Sequence, residues 1–262
     1  MKPVAVIGLG DLGLACALRL QEVDAQPQGI DPAPARQAEW HQLTGLAAGA
    51  GLDELRDEIA EIFVCVRTTA QAAAVLDELR TQSATCDRVA YVITTLEPAF
   101  AQGIGSYGAE RFRVIELPVS GGRAGARRGD LTVMVGGDQA APGDTEFLQR
   151  TLADKVFSFS RFGDATVVKL LNNVLGAYNA AAFANCMALA DRAGIDASNC
   201  ADVIRTATGT SWMAEHFSVL VDDLLAKDAG LLAGELGPLP VIDLADADGF
   251  ITLLAQSRKL IS

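Results

Sequence analysis

Apolar residues fall in short runs over the first half of the chain and spread into helical spacing over the second. Val4–Ile7 is a β-branched run that ends in glycines, and Leu14–Glu22 beyond it has helix-favouring composition and apolar spacing. Further runs at Ile62–Val66, Val89–Ile93, Arg113–Leu117 and Leu131–Val135 predict strands, with helix-like stretches such as Ala70–Arg80 between the earlier ones. A weaker run at Pro27–Ile30 predicts the second strand and leaves Asp31 at its C-terminal end. Alternation of this kind predicts an α/β fold with a mostly parallel sheet covered by helices.

From residue 163 the texture changes. Gly163-Asp164 marks a helix start and Gly194 a stop, and Ala165–Ala193 between them carries no proline and a single glycine. At 1.5 Å per residue this helix is roughly 40 Å long, the length of a connector between domains or an oligomer spine. Beyond it the pattern predicts helices only, Cys200–Thr208, His216–Ala226 and Leu239–Ile261, with glycine-rich Ala229–Gly237 as an interruption. The chain thus divides into residues 1–162, an α/β part, and residues 163–262, a smaller all-α part, joined by the long helix.

Chemistry enters at Gly8-Leu9-Gly10-Asp11-Leu12-Gly13. In G-x-G-x-x-G between a strand and a helix, the first glycine permits a tight turn, the second lets a pyrophosphate approach the backbone, and the third lets helix and strand pack closely. The helix N-terminus then offers free N–H groups and the positive end of its dipole. Asp31 lies about 18 residues after Gly13, near the spacing of about 20 at which a carboxylate meets the ribose hydroxyls. Its charge repels a 2′-phosphate, which favours NAD over NADP, although Asp31-Pro32 is also common turn chemistry and Arg36 is available to a phosphate.

Ser120-Gly121-Gly122 places a hydroxyl and two nearly bare N–H groups beyond a strand, a turn that either holds a carboxylate or is merely flexible. Lys169 sits in the apolar run Val167–Leu171, where a buried ammonium is costly unless it is paired or its pKa falls. Asn172 and Asn173 follow at helical spacing on the same face, and Gly176 continues it as a point of close approach. The alternative is that Lys169 snorkels to solvent and the asparagines are simply exposed.

Together, the glycine loop, the segment Pro118-Val119-Ser120-Gly121-Gly122 through Gly129-Asp130-Leu131, and Lys169-Leu170-Leu171-Asn172-Asn173 resemble the signature segments of the β-hydroxyacid dehydrogenases, which include 3-hydroxyisobutyrate dehydrogenase and fall in the 6-phosphogluconate dehydrogenase superfamily. Thr94-Thr95-Leu96-Glu97-Pro98 and Lys227-Asp228 extend the resemblance over nearly the whole chain. It implies that residues 1–162 are a Rossmann-like dinucleotide-binding domain and residues 163–262 a smaller all-α domain for substrate binding and oligomerisation, in an NAD(P)-dependent oxidoreductase acting on a small β-hydroxyacid in the cleft between them. Lys169 would be the general acid/base, Ser120, Gly121 and Gly122 would hold the carboxylate, and Asn173 would orient the substrate. Gly8, Leu9, Gly10, Asp11, Leu12, Gly13, Asp31 and Thr95 would contact the cofactor, as would Lys227, which closes the pocket from the second domain. Leu12 stands where the family usually has methionine, a mild departure, and Ala165 where it has a second glycine at the start of the catalytic helix, so Ala165 is expected to alter how that helix meets the nicotinamide. The interval from Lys169 to Lys227 is short around Trp212–Ser218, implying a reduced second domain and a more open pocket. An imine reductase on this scaffold, against which Lys169 argues, and a dinucleotide-binding scaffold without turnover are the alternatives.

Composition narrows the partners. The 262 residues carry 21 Lys+Arg against 33 Asp+Glu, a formal net charge of −12, so nothing attracts nucleic acid or an anionic membrane. Half the residues are hydrophobic, yet no run approaches the roughly 18 needed to span a bilayer. Five scattered cysteines without C-x-x-C spacing are expected to be reduced, mostly buried thiols, and the start at Met1 lacks a signal-peptide pattern, so a cytoplasmic location is expected. His41 and His216 have no second ligand at metal spacing, so no metal site is expected, and Trp212 reads as a core or interface residue. Mean hydropathy of +0.25 leaves apolar surface for a second copy of the chain, so a homo-oligomer is expected.

Overall fold

The computed structural model describes residues 3–108, 111–220, 222–242 and 247–260. Its strands are β1 (Val4–Ile7), β2 (Gln28–Ile30), β3 (Glu61–Val64), β4 (Arg88–Val92), β5 (Phe112–Glu116), β6 (Val119–Ser120), β7 (Leu131–Gly136) and β8 (Ala153–Phe159). Helices α1 (Asp11–Glu22), α2 (Pro34–Thr44), α3 (Thr69–Leu79), α4 (Pro98–Gly103), α5 (Gly105–Gly108), α6 (Gly122–Arg128) and α7 (Pro142–Thr151) lie between them. The helical part follows as α8 (Asp164–Arg192), α9 (Ala197–Thr206), α10 (Trp212–Glu215), α11 (Asp222–Leu236) and α12 (Ala247–Leu260).

One sheet runs β2-β1-β3-β4-β5-β7-β6, with β8 paired to β7. The first five of these strands are mutually parallel, the expected arrangement of an α/β sheet. β7 departs from it, pairing antiparallel with β5 and β6, because the link through short α6 and left-handed Gly129 turns the chain back instead of carrying it across the sheet. β1, β3 and β4 are buried along their whole length, as strands covered on both faces must be. On one face Trp40, Phe63, Tyr91 and Phe147 pack with α1, the Phe63 and Tyr91 rings stacked at 4.9 Å, and on the other Ile62, Val64, Leu76 and Ile104 form a second core.

The long helix stands one residue from its expected bounds. The later helices differ more. His216–Ala226 is not one helix: α10 stops at Glu215, a single 3₁₀ turn covers Phe217–Val219, and α11 begins at Asp222, with Val221 outside the described residues. The expected interruption at Ala229–Gly237 is instead helical through Leu236. Gly230 and Gly234 each disfavour a helix by about 1 kcal/mol relative to alanine. Leu232, fully buried against Leu170 and Val174 of α8, returns about 1.5–3 kcal/mol, so tertiary packing outweighs local preference. Leu239–Ile261 shrinks to α12, since Pro240 interrupts its start, and residues 243–246 and Ile261 lie outside the described residues. Met1 and Lys2 also lie outside them.

Candidate functional site

The C-terminal ends of β1 to β5 face one edge of the sheet, and the glycine loop, Asp31 and Thr95 follow β1, β2 and β4 there. Gly8 has φ +91°, and a methyl added to it would meet Cys65 O at 2.4 Å. A methyl on Gly13 would lie 1.9 Å from Gly8 O, so this glycine lets α1 rest directly on the turn. Gly10 is different: a methyl there meets nothing within 4 Å. Gly10 also caps α1 with no side-chain hydrogen bond, which leaves the first-turn N–H groups of α1 available. Open space above an uncapped helix N-terminus suits a pyrophosphate, so the loop fits a dinucleotide.

Asp31 follows directly on β2, is 8% exposed, and accepts hydrogen bonds from Leu9 N at 2.7 Å and Ala33 N at 2.8 Å. The second bond is the expected turn, while the first ties the carboxylate to the glycine loop. A carboxylate has about four acceptor sites, so lone pairs remain for ribose hydroxyls. Arg36 is engaged by Glu39 at 2.8 Å and Asp11 at 3.3 Å. Of the two threonines after β4, buried Thr94 bridges Val66 N and Val66 O, each at 3.0 Å, whereas Thr95 is half-buried.

Lys169 is buried, 8% exposed, and does not snorkel. Burial lowers its pKa from the ordinary lysine value to about 8, against the charge of Asp228, which raises it. Asn173, one turn on, donates to Asp228 Oδ2 at 2.6 Å and accepts from Asn172 Nδ2 at 3.1 Å. Asp228 is itself 5% exposed and comes from α11, which packs along α8. Buried Lys169 and Asp228 and half-buried Asn173 therefore form one polar group inside the helical part. The sequence named Asp228 only as half of a pair with Lys227. Nothing along the chain showed that Asp228 would face inward while Lys227 Nζ reaches out to Arg67 O at 3.2 Å.

Gly176 does admit a close neighbour, but it is Met213 of α10, whose Cε would lie 2.3 Å from an added methyl. Ser120 ends β6 half-buried, and exposed Gly121 and Gly122 follow with φ +126° and +58°, a backbone suited to glycine. Ala165 is fully buried, its Cβ 3.0 Å from where a methyl on Gly136 would sit. Trp212 is 55% exposed and stacks on His216 at 4.2 Å, so it is not a core residue. All five cysteines are free; Cys16 is buried, Cys65, Cys86 and Cys200 are half-buried, and Cys186 is exposed, contrary to a mostly buried set. Among the described residues no group of three His, Cys, Asp or Glu is placed to hold a metal, and no helix is long and apolar enough to cross a membrane.

The chain is similar to known proteins over both of its parts. The family model for the NAD-binding domain of 6-phosphogluconate dehydrogenase matches residues 3–159, and that for the NAD-binding region of NADP-dependent 3-hydroxyisobutyrate dehydrogenase matches residues 163–229. L-threonate dehydrogenase of Haemophilus influenzae is 30% identical over 97% of this chain and 83% of its own length. Mitochondrial 3-hydroxyisobutyrate dehydrogenase of Drosophila melanogaster is 26% identical over 93% and 82%. The crystal structure of 3-hydroxyisobutyrate dehydrogenase from Salmonella typhimurium superposes with a TM-score of 0.80 at 27% identity, covering 99% of this chain and 95% of that one.

Proposed function

We propose that this chain, which belongs to the β-hydroxyacid dehydrogenase family of NAD(P)-dependent oxidoreductases, interconverts a small β-hydroxyacid and its carbonyl form with Lys169 as general acid/base. The observation that carries the reading is a buried lysine whose pKa is about 8, beside Asn173 and Asp228. When bound, the nicotinamide supplies the hydride chemistry. The neutral amine of Lys169 takes the hydroxyl proton in oxidation, and its ammonium returns one to the carbonyl oxygen in reduction. Asn173, fixed by Asp228, orients the substrate, and Ser120 with the N–H groups of Gly121 and Gly122 receives its carboxylate. The loop Gly8–Gly13 would hold the pyrophosphate. Thr95 and Lys227 would flank the nicotinamide half, and Asp31 favours NAD over NADP. In this reading residues 1–162 and 163–262 are the two domains, and the protein works in the cytoplasm.

The test is a panel of L-threonate, 3-hydroxyisobutyrate and L-serine, the acids that relatives are named for, with NAD and NADP in parallel, followed by absorbance of the reduced nicotinamide. Tight NADH binding with no turnover of any panel acid defeats the dehydrogenase reading and leaves the scaffold.

The pKa sets the pH dependence and its sign. Oxidation needs the free amine, so kcat rises as pH passes about 8, whereas reduction needs the ammonium and falls through the same range. Asp228→Asn removes the charge that raises the Lys169 pKa, so both midpoints move to lower pH. A midpoint that stays in place would remove Asp228 from the account.

The same reading includes a homo-oligomer. Val168, Leu171 and Leu175 form an exposed stripe along α8, and Ile251, Leu253 and Leu254 are exposed on α12. A second copy covering these faces predicts a dimeric or larger mass by light scattering; a monomer at working concentration contradicts it.

A further inference from the structure

We propose that Glu116 is the positioning residue for Lys169: its carboxylate clamps the first turn of α8 onto the sheet, so the lysine is carried by the cofactor-binding half of the molecule. The inference rests on Lys169 being the general acid/base.

Glu116 is the last residue of β5 and is fully buried. Its Oε2 accepts from Gly163 N at 2.7 Å, and its Oε1 from Thr166 N at 2.6 Å. Gly163 is the left-handed cap of α8, with φ +92°, and Val167 N closes the first helical turn on Gly163 O at 2.9 Å. Lys169 follows Thr166 by three residues, about 4.5 Å along the axis. Room for the clamp comes from Gly136, opposite Glu116 on β7: a methyl there would fall 2.2 Å from Oε2. The residue before the cap is gripped as well. Methyls added to Gly105 and Gly137 would lie 2.4 and 2.3 Å from the Phe162 ring, so that ring is wedged between two glycines. A glycine joining sheet to long helix is a natural hinge, but here both sides of it are fixed.

Contacts between α11 and the sheet-bearing part are of another kind. Lys227 Nζ meets Arg67 O at 3.2 Å and Gln102 Nε2 meets Glu235 Oε1 at 3.4 Å, both exposed. Exposed single bonds yield at little cost, whereas buried bonds to a carboxylate do not. Buried bonds thus tie α8, and Lys169 on it, to the sheet, while the bonds of α11 to the sheet-bearing part are exposed. Burial pushes the Glu116 carboxyl above the usual range while the backbone N–H bonds pull it down, and Asp164, paired with Arg161 at 3.0 Å, adds to the rise. A plain helix start needs no such buried acid, since an exposed Ser or Asp caps equally well.

The test is Glu116→Gln in the NADH complex, with Glu116→Ala as a second variant. Glutamine keeps the size but turns one acceptor into a donor facing an N–H. Amides 163–167 are expected to exchange about tenfold faster or more, with 4–22 unchanged and NADH affinity within about threefold. On the best acid of the panel kcat falls about 10- to 100-fold with KM within about threefold, because a misplacement near 1 Å costs about that much. The isotope effect from deuterium at the carbinol carbon rises. A merely structural cap would lower kcat only in step with the NADH-binding fraction and leave the isotope effect alone, and that result, or unchanged exchange, overturns the proposal. If the wild-type chain turns over no panel acid, the dehydrogenase reading falls and the exchange measurement alone decides the clamp.

Discussion

Lys169→Ala is expected to lower turnover about 10²- to 10⁴-fold while leaving NADH affinity within about threefold. The size follows from what the side chain does: a proton must move as the C–O bond changes order, and no other titratable group is described beside it except Asp228, whose carboxylate is committed to Asn173. Stability should change little, because the variant loses packing but also loses the penalty of a desolvated amine, the same penalty that brings its pKa to about 8. Lys169→Arg separates two roles. It keeps a cation in place but cannot release its proton near neutral pH, so it should be nearly as inactive as alanine. If Lys169 served only as a positive charge for the substrate carboxylate, the arginine variant would retain most of the activity. Partial recovery of the alanine variant by added methylamine would locate the missing function in the amine itself.

Lys169 was legible because a charge in an apolar helical run has to be explained, and burial supplied the explanation. Glu116 was not, since a charged residue at the end of a strand looks like any other until Gly163 and Thr166 return to it from beyond β8. β8 escaped notice for a related reason: Asp154, Lys155 and Ser158 break its apolar run, as an edge strand tolerates and a central one does not. The antiparallel turn at β7 and the helical path through Gly230 and Gly234 were likewise fixed by partners far along the chain. The glycine loop, in contrast, was read correctly as strand, turn and helix from local pattern alone, because Gly8 makes the left-handed turn and Gly13 lets α1 rest directly on it.

That loop yields the second large effect, and two neighbouring glycines should respond in opposite ways. Gly13→Ala drives a methyl to 1.9 Å from the Gly8 carbonyl oxygen, a backbone atom that cannot rotate aside. Helix α1 must lift from the turn, and overpacking of this kind costs about 1–3 kcal/mol, occasionally more. A loss of 3 kcal/mol corresponds to a fall in Tm of roughly 6–12 °C for a chain of this size. NADH binding should fail with it, since the lifted helix no longer aims its N–H groups at the loop. Gly10→Ala meets nothing within 4 Å and sits at φ −66°, so the fold should keep its Tm within about 1 °C. Yet its methyl enters the open space above the helix N-terminus, and NADH affinity should drop at least about tenfold, roughly what displacing one well-made hydrogen bond to a charged group costs. Thermal scans and NADH fluorescence titrations on the two variants read both quantities. A Gly10→Ala protein that binds NADH as the wild type does would mean that the pyrophosphate does not lie over this loop.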